Sequence, residues 1–331
     1  MKAIIYPSIG NVKLQTLPEP DLLPDQVLIS TKASGLCYTD IEIMKGHYGE
    51  TKFPLIPGHE FAGTVIATGK EVNSFSEGDR VVVDPNMHCA QCPACNKGLT
   101  NLCHSLKAYG VTDNGGFAEY CSISESNVLD IGETPFHLAA LAEPMGCVLN
   151  GIDTIGATDI NEAMIIGAGP IGLLMAFALK AKGAGAVKMV DINEERLQLV
   201  GELGFEPIAS QSKDLTKCRH SMDLVVEATG KPSVAQSTID YVANGGNALL
   251  FGICHPNSKI EISPFELFRR QIKIGGSHSL NHNLIDSLSV IKQFDEPISK
   301  LVSHRVPIEE IKPFFESFGH KDTLKVQAIF E

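Results

Sequence analysis

Four cysteines within one short stretch carry the most specific chemical signal in the sequence. Cys89, Cys92 and Cys95 are separated by two residues each, and Cys103 follows after seven more. Four thiolates form the closed tetrahedral ligand set of a structural zinc, with no open position for a substrate. The spacing therefore predicts a zinc ion that braces a loop. Buried thiols without a metal would not require this spacing, and a nucleic-acid-binding zinc ribbon uses two separated cysteine pairs.

A second segment has the glycine spacing of a dinucleotide site, Gly167-Ala168-Gly169-Pro170-Ile171-Gly172. The G-x-G-x-x-G pattern is common by chance, but here it follows the apolar run 163–166 and opens a helix-forming run, as the motif requires. Gly167 would make the tight turn, Gly169 would let the pyrophosphate approach the backbone, and Gly172 would let the helix pack on the strand. The helix N-terminus would then face the phosphates.

Asp191 stands nineteen residues after Gly172, at the end of the apolar run 187–190. A carboxylate at this place accepts hydrogen bonds from the adenosine ribose and repels a 2′-phosphate, which predicts NAD rather than NADP. The alternative is a solvated aspartate in an ordinary β-α turn.

The remaining candidates are dispersed, and their spacing alone does not join them: Cys37-Tyr38-Thr39-Asp40, Gly58-His59-Glu60 and Ala142-Glu143-Pro144. However, Gly58-His59-Glu60-x-x-Gly63, with Gly69 and Val72 after it, resembles the signature of the zinc-type alcohol dehydrogenases in the medium-chain dehydrogenase/reductase superfamily. The resemblance covers nearly the whole chain, because the cysteine cluster, the glycine motif, Asp191 and the terminal strands follow in the family's order.

The resemblance implies a catalytic zinc held by Cys37, His59 and Glu60. It places Glu143 where polyol and threonine dehydrogenases present a glutamate to the metal or its water. Simple alcohol dehydrogenases have a cysteine at that place, and Cys147, four residues further on, is a weaker alternative.

Further roles follow from the resemblance alone. Thr39 matches the hydroxyl residue that passes the alcohol proton towards the cofactor ribose. Asp40 matches the carboxylate that orients the zinc-bound histidine. Lys325 lies where relatives keep a basic residue near the ligand glutamate, and Arg196 where they contact the adenosine ribose or its phosphate.

The expected reaction is hydride transfer from a secondary alcohol to NAD, giving a ketone. A polyol is the first choice of substrate, because the acidic and hydroxyl-bearing residues Tyr38, Glu42 and Tyr48 offer no partner for an amino acid's carboxylate, although His47 could contradict this. L-Threonine 3-dehydrogenase or another zinc alcohol dehydrogenase is the alternative enzyme. A catalytically silent NAD-binding or zinc-binding protein is the alternative from another class, and such relatives tend to lose zinc ligands, which this chain keeps.

The elements that must position these residues form two patterns. Short apolar runs broken by Gly, Pro, Asn and Asp up to about residue 132 predict a β-rich domain. From 163 to 251 apolar strands alternate with helical segments, which predicts a parallel sheet covered by helices. With the resemblance, the expectation is α/β: a GroES-like catalytic domain of residues 1–148 and 283–331, and a Rossmann NAD-binding domain of residues 149–282.

The composition excludes several classes. A chain of 331 residues suits two domains, and no stretch reaches the roughly 18 apolar residues of a membrane helix. With 27 Lys and Arg against 39 Asp and Glu, the formal charge of −12 opposes nucleic acid and anionic membranes as partners. The N-terminus has no signal-peptide pattern, so a cytoplasmic protein is expected. The strand near Ile272–Ile274 suggests sheet extension into a homodimer, and relatives are dimers or tetramers.

Overall fold

The computed structural model describes residues 1–48, 51–319 and 323–331. By contacts between residues, the chain divides into two compact units, Met1–Pro144 with Leu280–Glu331, and Met145–Ser279. The predicted domain ranges place the boundaries after residues 148 and 282, and as domain ranges they stay a prediction.

The strands of the described residues, in chain order, are β1 (Lys2–Ser8), β2 (Asn11–Thr16), β3 (Gln26–Gly35), β4 (Glu60–Thr68), β5 (Arg80–Val83), β6 (Asn86–Met87), β7 (Lys107–Ala108), β8 (Tyr120–Ser124), β9 (Val128–Asp130), β10 (Glu162–Ile166), β11 (Ala186–Asp191), β12 (Glu206–Ala209), β13 (Met222–Glu227), β14 (Val242–Leu250), β15 (Lys273–Gly276), β16 (Val302–Pro307) and β17 (Lys325–Ile329). The α-helices are α1 (Tyr38–Met44), α2 (Phe136–Ala139), α3 (Ala142–Ile155), α4 (Pro170–Ala181), α5 (Glu194–Glu202), α6 (Lys213–Lys217), α7 (Pro232–Ser237), α8 (Pro264–Arg270), α9 (Leu284–Gln293), α10 (Asp295–Ser299) and α11 (Lys312–Glu316).

The first unit is built on a sheet in the order β16-β17-β3-β4-β5-β9, with β8 also pairing β3. Strand β3 alternates buried and half-buried residues along its length, as a strand with one face on a core does. The last strand, β17, pairs antiparallel with β3, so the chain's C-terminal segment completes the sheet begun by its N-terminal half. This pairing brings Lys325 to the same sheet as Glu60.

The second unit is a six-stranded parallel sheet in the order β12-β11-β10-β13-β14-β15. Most residues of strand β10 and helix α4 are buried, as expected for a central strand of a parallel sheet and the helix that covers it. The chain moves outwards from β10 to β12 on one side and then from β13 to β15 on the other. The order therefore reverses between β10 and β13, and a ligand crevice forms at the carboxyl ends of strands at such a reversal.

The predicted α/β class with a β-rich part and a parallel-sheet part is confirmed. The apolar runs 163–166 and 187–190 form β10 and β11, the glycine motif opens helix α4, and strands alternate with helices from β10 to β14 as expected. The elements that the sequence did not predict include β12, β16 and the fourteen-residue helix α3. No helix in the described part of the chain is long and apolar enough to cross a membrane.

Candidate active site and metal centres

Three side chains with metal-binding atoms converge in the first unit. Cys37 directly precedes α1, His59 directly precedes β4, and Glu60 is the first residue of β4. One potential ligand atom from each lies within 4.8 Å of the others. His59 and Glu60 are buried, and Cys37 is half-buried. The structure thus brings together the three residues that the sequence could join only by resemblance.

Asp40 links the two chain segments that supply these residues. One of its carboxylate oxygens, Oδ2, accepts a hydrogen bond from the backbone N–H of Cys37 at 2.9 Å. The other, Oδ1, accepts from the backbone N–H of Gly58 at 3.3 Å and lies 3.4 Å from His59 Nδ1. Asp40 is fully buried, so this carboxylate fixes the start of α1 against the residues before β4.

The charges at this place are those of a cation site. Burial lowers the pKa of His59, but the charges of Asp40 and Cys37 outweigh burial and raise it well above its ordinary value. Burial likewise lowers the pKa of Lys325, and Glu60, Cys37 and Glu143 raise it by a larger amount. Acidic groups therefore outnumber basic ones in a buried volume, where unbalanced charge is costly. A divalent cation fits this donor set of thiolate, imidazole and carboxylate.

Lys325 forms a buried ion pair with Glu60. The ammonium Nζ lies 2.7 Å from both carboxylate oxygens and donates to the carbonyl of Leu36 at 3.3 Å. Glu143 is buried near the start of α3 and raises the pKa of Lys325, so its charge is felt at the same place. Glu143 does not belong to the group of three ligand residues whose atoms lie within 4.8 Å of one another. Thr39 lies in the first turn of α1, next to Asp40.

The residues that suggested a polyol substrate lie on and after α1. Glu42 accepts hydrogen bonds from His47 Nδ1 at 2.9 Å and from Lys45 Nζ at 3.4 Å. The rings of Tyr38 and Tyr48 are exposed. Burial raises the pKa of Glu42, but its hydrogen bonds to His47, Tyr38 and Lys45 outweigh burial and lower it below its ordinary value, so this residue stays a carboxylate.

The four clustered cysteines form the second group that could hold a metal in the described residues, again with ligand atoms within 4.8 Å. The backbone N–H of Cys89 donates to Cys103 Sγ at 3.3 Å, and the Sγ atoms of Cys92 and Cys95 are 3.5 Å apart. Backbone hydrogen bonds lower the pKa of Cys92 to about 6, whereas burial and the neighbouring thiols raise that of Cys95 to about 11. Four thiols this close together cannot all ionise without a cation, and a zinc ion would stabilise all four as thiolates.

The glycine motif has the geometry that its spacing predicts. Gly167 follows β10 with a φ of +115°, which L side chains rarely adopt. A Cβ at Gly172 would collide with the carbonyl oxygen of Gly167, so helix and strand can pack here only without a side chain. Pro170, with Ile171 next to it, begins α4. A Cβ at Gly169 would meet only Arg196 Nη1, at 4.0 Å, so Gly169 faces open space.

Asp191 ties the end of β11 to the glycine turn. Its Oδ2 accepts from the backbone N–H of Ala168 at 2.7 Å, and its Oδ1 accepts from Ile192 and Asn193 at 2.7 and 2.9 Å. Sequence reasoning assigned this carboxylate to the ribose and missed these backbone bonds. Arg196 Nε is buried and has no hydrogen-bond partner among the described residues.

The sequence reading also missed Glu227, a fully buried acid that ends β13. The available signal was a single acidic residue closing the apolar run Leu224-Val225-Val226.

A GroES-like fold, a parallel nucleotide-binding sheet and a thiolate-imidazole-carboxylate site together define a zinc-type dehydrogenase that uses a nicotinamide cofactor. Residues 23–133 match the alcohol dehydrogenase GroES-like domain, and residues 136–329 match the glucose dehydrogenase C-terminus. The chain belongs to the zinc-type alcohol dehydrogenases of the medium-chain dehydrogenase/reductase superfamily.

Relatives of stated function match over all or nearly all of their length. D-altritol 5-dehydrogenase of Agrobacterium fabrum is 48% identical and covers 100% of both chains. L-threonine 3-dehydrogenase of Symbiobacterium thermophilum is 32% identical over 96% of this chain and 93% of its own. Among solved structures, a zinc-binding dehydrogenase from Sinorhizobium meliloti 1021 bound to NADP is 27% identical, with a TM-score of 0.95 and 99% of each chain covered.

Proposed function

We propose that this protein oxidises a secondary hydroxyl group of a polyol to a ketone, with NAD as the hydride acceptor. The observation that carries the proposal is the convergence of Cys37, His59 and Glu60 around a buried acidic volume. The 48% identity to D-altritol 5-dehydrogenase over the whole chain supports the polyol substrate.

Each residue of the site has a distinct task in this proposal. Cys37, His59 and Glu60 would hold the catalytic zinc, and the buried carboxylate of Glu143 would add negative charge beside it. Asp40 keeps the His59 ring in its orientation, since it lies 3.4 Å from Nδ1 and is itself fixed by two backbone N–H groups. When bound, zinc supplies Lewis acidity that makes an alcohol easier to deprotonate, and the nicotinamide supplies the hydride acceptor. Thr39 Oγ1 accepts the alcohol proton and passes its own onwards.

NAD is the proposed cofactor because of Asp191. The carboxylate ends β11 beside the glycine turn, where its negative charge opposes the 2′-phosphate of NADP. Gly167, Gly169, Pro170, Ile171 and Gly172 form the pyrophosphate turn. The Arg196 guanidinium lies near Gly169, and its Nε, which has no partner among the residues described, is available to the adenosine half. The similar Sinorhizobium meliloti protein binds NADP, which makes this choice a direct object of test.

Two further parts complete the proposal. Cys89, Cys92, Cys95 and Cys103 hold a structural zinc, for a total of two zinc ions per chain. The chain forms a homodimer through β15, which pairs only with β14 among the described strands and so ends its sheet.

A polyol is preferred to threonine because of the charges near α1. Lys45 and His47, the basic residues just after α1, could pair with an amino acid's carboxylate, but both already contact Glu42. Tyr38 and Glu42 offer a hydroxyl and a carboxylate, which suit a neutral chain of hydroxyl groups.

The test is a substrate panel with the zinc-loaded enzyme. We expect NAD reduction with C4 to C6 polyols and little with L-threonine, and metal analysis should give about two zinc ions per chain. His59→Ala should abolish turnover while NADH still binds, because His59 lies outside the nucleotide-binding unit. Turnover of L-threonine in preference to every polyol would support the alternative enzyme. One zinc per chain without any turnover would support a silent protein.

A further inference from the structure

Glu227 is a buried carboxylate without a counter-ion. It is the last residue of β13, it is fully buried, and no salt bridge joins it to any basic group in the described ranges. An ionised carboxylate in such a place costs stability unless hydrogen bonds or a functional role offset the cost. An apolar residue would fill the end of this strand without that cost.

The hydrogen bonds of Glu227 all shape one turn. Its Oε1 accepts from the backbone N–H of Thr229 at 2.6 Å, from that of Gly230 at 3.0 Å, and from the Thr229 hydroxyl. Its Oε2 is buried and has no partner among the described residues. One oxygen therefore fixes residues 228–230, and the other remains available.

This turn contacts the glycine motif. A Cβ at Gly167 would lie 3.0 Å from Thr229 Cγ2 and 3.1 Å from the carbonyl carbon of Ala228. On the other side, a Cβ at Gly252 would lie 2.6 Å from Glu227 Oε2, and the Gly252 N–H donates to the Glu227 carbonyl at 2.8 Å. The Glu227 carboxylate and the turn that it fixes thus lie between the loop that follows β10 and the loop that follows β14.

These loops occupy the place in the sheet where a dinucleotide binds. Ile166 pairs with Glu227, and Glu227 pairs with Leu250, so the three strands end side by side. The strand order reverses between β10 and β13, and cofactors lie across the carboxyl ends at such a reversal.

We infer that Glu227 is a positioning residue for the nicotinamide dinucleotide: through Thr229 and Gly230 it sets the loop that faces the glycine turn. The inference rests on the cofactor class of the proposed function but on neither its substrate nor its preference for NAD. Part of the affinity for the cofactor would then come from a buried acid outside the glycine motif.

Isothermal titration of the zinc-loaded protein with NADH tests this inference. Glu227→Ala removes the acceptor of three hydrogen bonds, so we expect the Kd for NADH to rise about tenfold or more. Glu227→Gln keeps an oxygen that can accept from Thr229 and Gly230, and its Kd should stay within about threefold of wild type. Thr229→Val keeps the backbone bonds to Glu227 but removes the hydroxyl, which donates to Glu227 and accepts from the Lys231 N–H at 3.2 Å, and it should raise the Kd about threefold to tenfold.

The matched control is Asn247→Ala in β14. The Asn247 side-chain oxygen is also buried and without a partner in the described part of the chain, and the Asn247 amide nitrogen donates to the Asp223 carbonyl near the opposite end of β13. We expect this variant to lower the Tm and leave the Kd unchanged.

Wild-type affinity in both Glu227→Ala and Thr229→Val, or an equal loss in Asn247→Ala, would overturn the inference. If Glu227→Ala does not fold, Thr229→Val decides by itself. A wild-type protein that binds neither NADH nor NADPH would overturn the proposed cofactor class as well, whereas one that binds NADH but oxidises no polyol would refute only the proposed substrate.

Discussion

Lys325 is the residue on which the balance of charge at the metal site depends most directly. Both partners of its ion pair with Glu60 are almost fully buried, and the ammonium contacts both carboxylate oxygens. Breaking a buried pair from one side leaves the other charge without compensation. The pair also restrains a proposed zinc ligand, so its loss affects both stability and metal geometry.

Replacing this lysine should destabilise the protein strongly. We predict that Lys325→Met lowers the free energy of unfolding in urea by about 3 to 5 kcal/mol, because Glu60 stays buried without its cation. The control is Lys2→Met, which removes an exposed pair with Glu309 and should leave the unfolding curve unchanged. Equal curves for wild type and Lys325→Met would mean that the buried pair contributes no net stability.

Asp191 carries the proposed discrimination between the two cofactors. We predict that Asp191→Ser lowers the ratio of kcat/KM for NAD to that for NADP at least about tenfold, since the repulsion of the 2′-phosphate disappears. The variant also loses the bonds to Ala168 and Asn193, so the activity with NAD should fall as well.

Initial rates with each cofactor measure that ratio. The control is Asn193→Ala, which removes the cap of α5 at a cost of about 1 kcal/mol but keeps the carboxylate. An unchanged ratio in Asp191→Ser would remove the basis for choosing NAD.

At the scale of elements, the cysteine segment depends on its metal more than on packing. Of its four cysteines only Cys103 is buried, and Leu99 and Leu102 are exposed. The segment contributes short turns and no long helix or strand, so it has little apolar area to bury. A metal that crosslinks such a segment supplies the folding free energy that packing does not.

Removing one ligand should therefore release the ion and loosen this element. We predict that Cys92→Ser lowers the zinc content by about one ion per chain and makes the segment between Cys89 and Cys103 the first site of limited proteolysis. The control is Cys121→Ser, a buried cysteine outside the cluster whose Sγ donates to the Gly115 carbonyl. Full zinc content in Cys92→Ser would contradict a four-cysteine site.

For the whole molecule, the proposed homodimer depends on the edge strand β15. An unpaired edge exposes backbone N–H and C=O groups that a second copy can pair. Light scattering should give twice the 35.6 kDa chain mass for the wild type. We predict that Gly276→Arg gives a monomer, because a Cβ there meets only the Leu250 carbonyl, at 3.8 Å, within the chain, while a charge at the edge opposes pairing.

The control for assembly is Gly201→Arg, on the exposed side of α5, where a Cβ would meet only Pro207 Cγ at 3.9 Å. This variant should keep the mass of the wild type. A wild-type protein with the mass of one chain would refute the proposed dimer.

The parts of the fold that could be predicted are those with a strong local pattern. Helix α4 follows a glycine motif with a proline at its first turn, and β10, β11 and β13 are short apolar runs. Helix α3 was missed because its sequence Ala-Glu-Pro-Met-Gly-Cys contains a proline and a glycine, which disfavour helix in isolation. Its residues Met145, Val148 and Leu149 are buried, so tertiary packing outweighs that local preference.

From the sequence by itself, local spacing predicted a closed metal site at four cysteines and a phosphate turn at three glycines, whereas the Gly-His-Glu segment gained its predicted metal role only through the family resemblance. Only the tertiary structure decided which distant residues meet. Cys37 joins His59 and Glu60 through the buried Asp40, Lys325 reaches Glu60 through the pairing of β17 with β3, and Glu227 comes to lie beside the glycine turn. Such contacts depend on strand order and burial, which act between segments far apart in the chain and leave no local pattern.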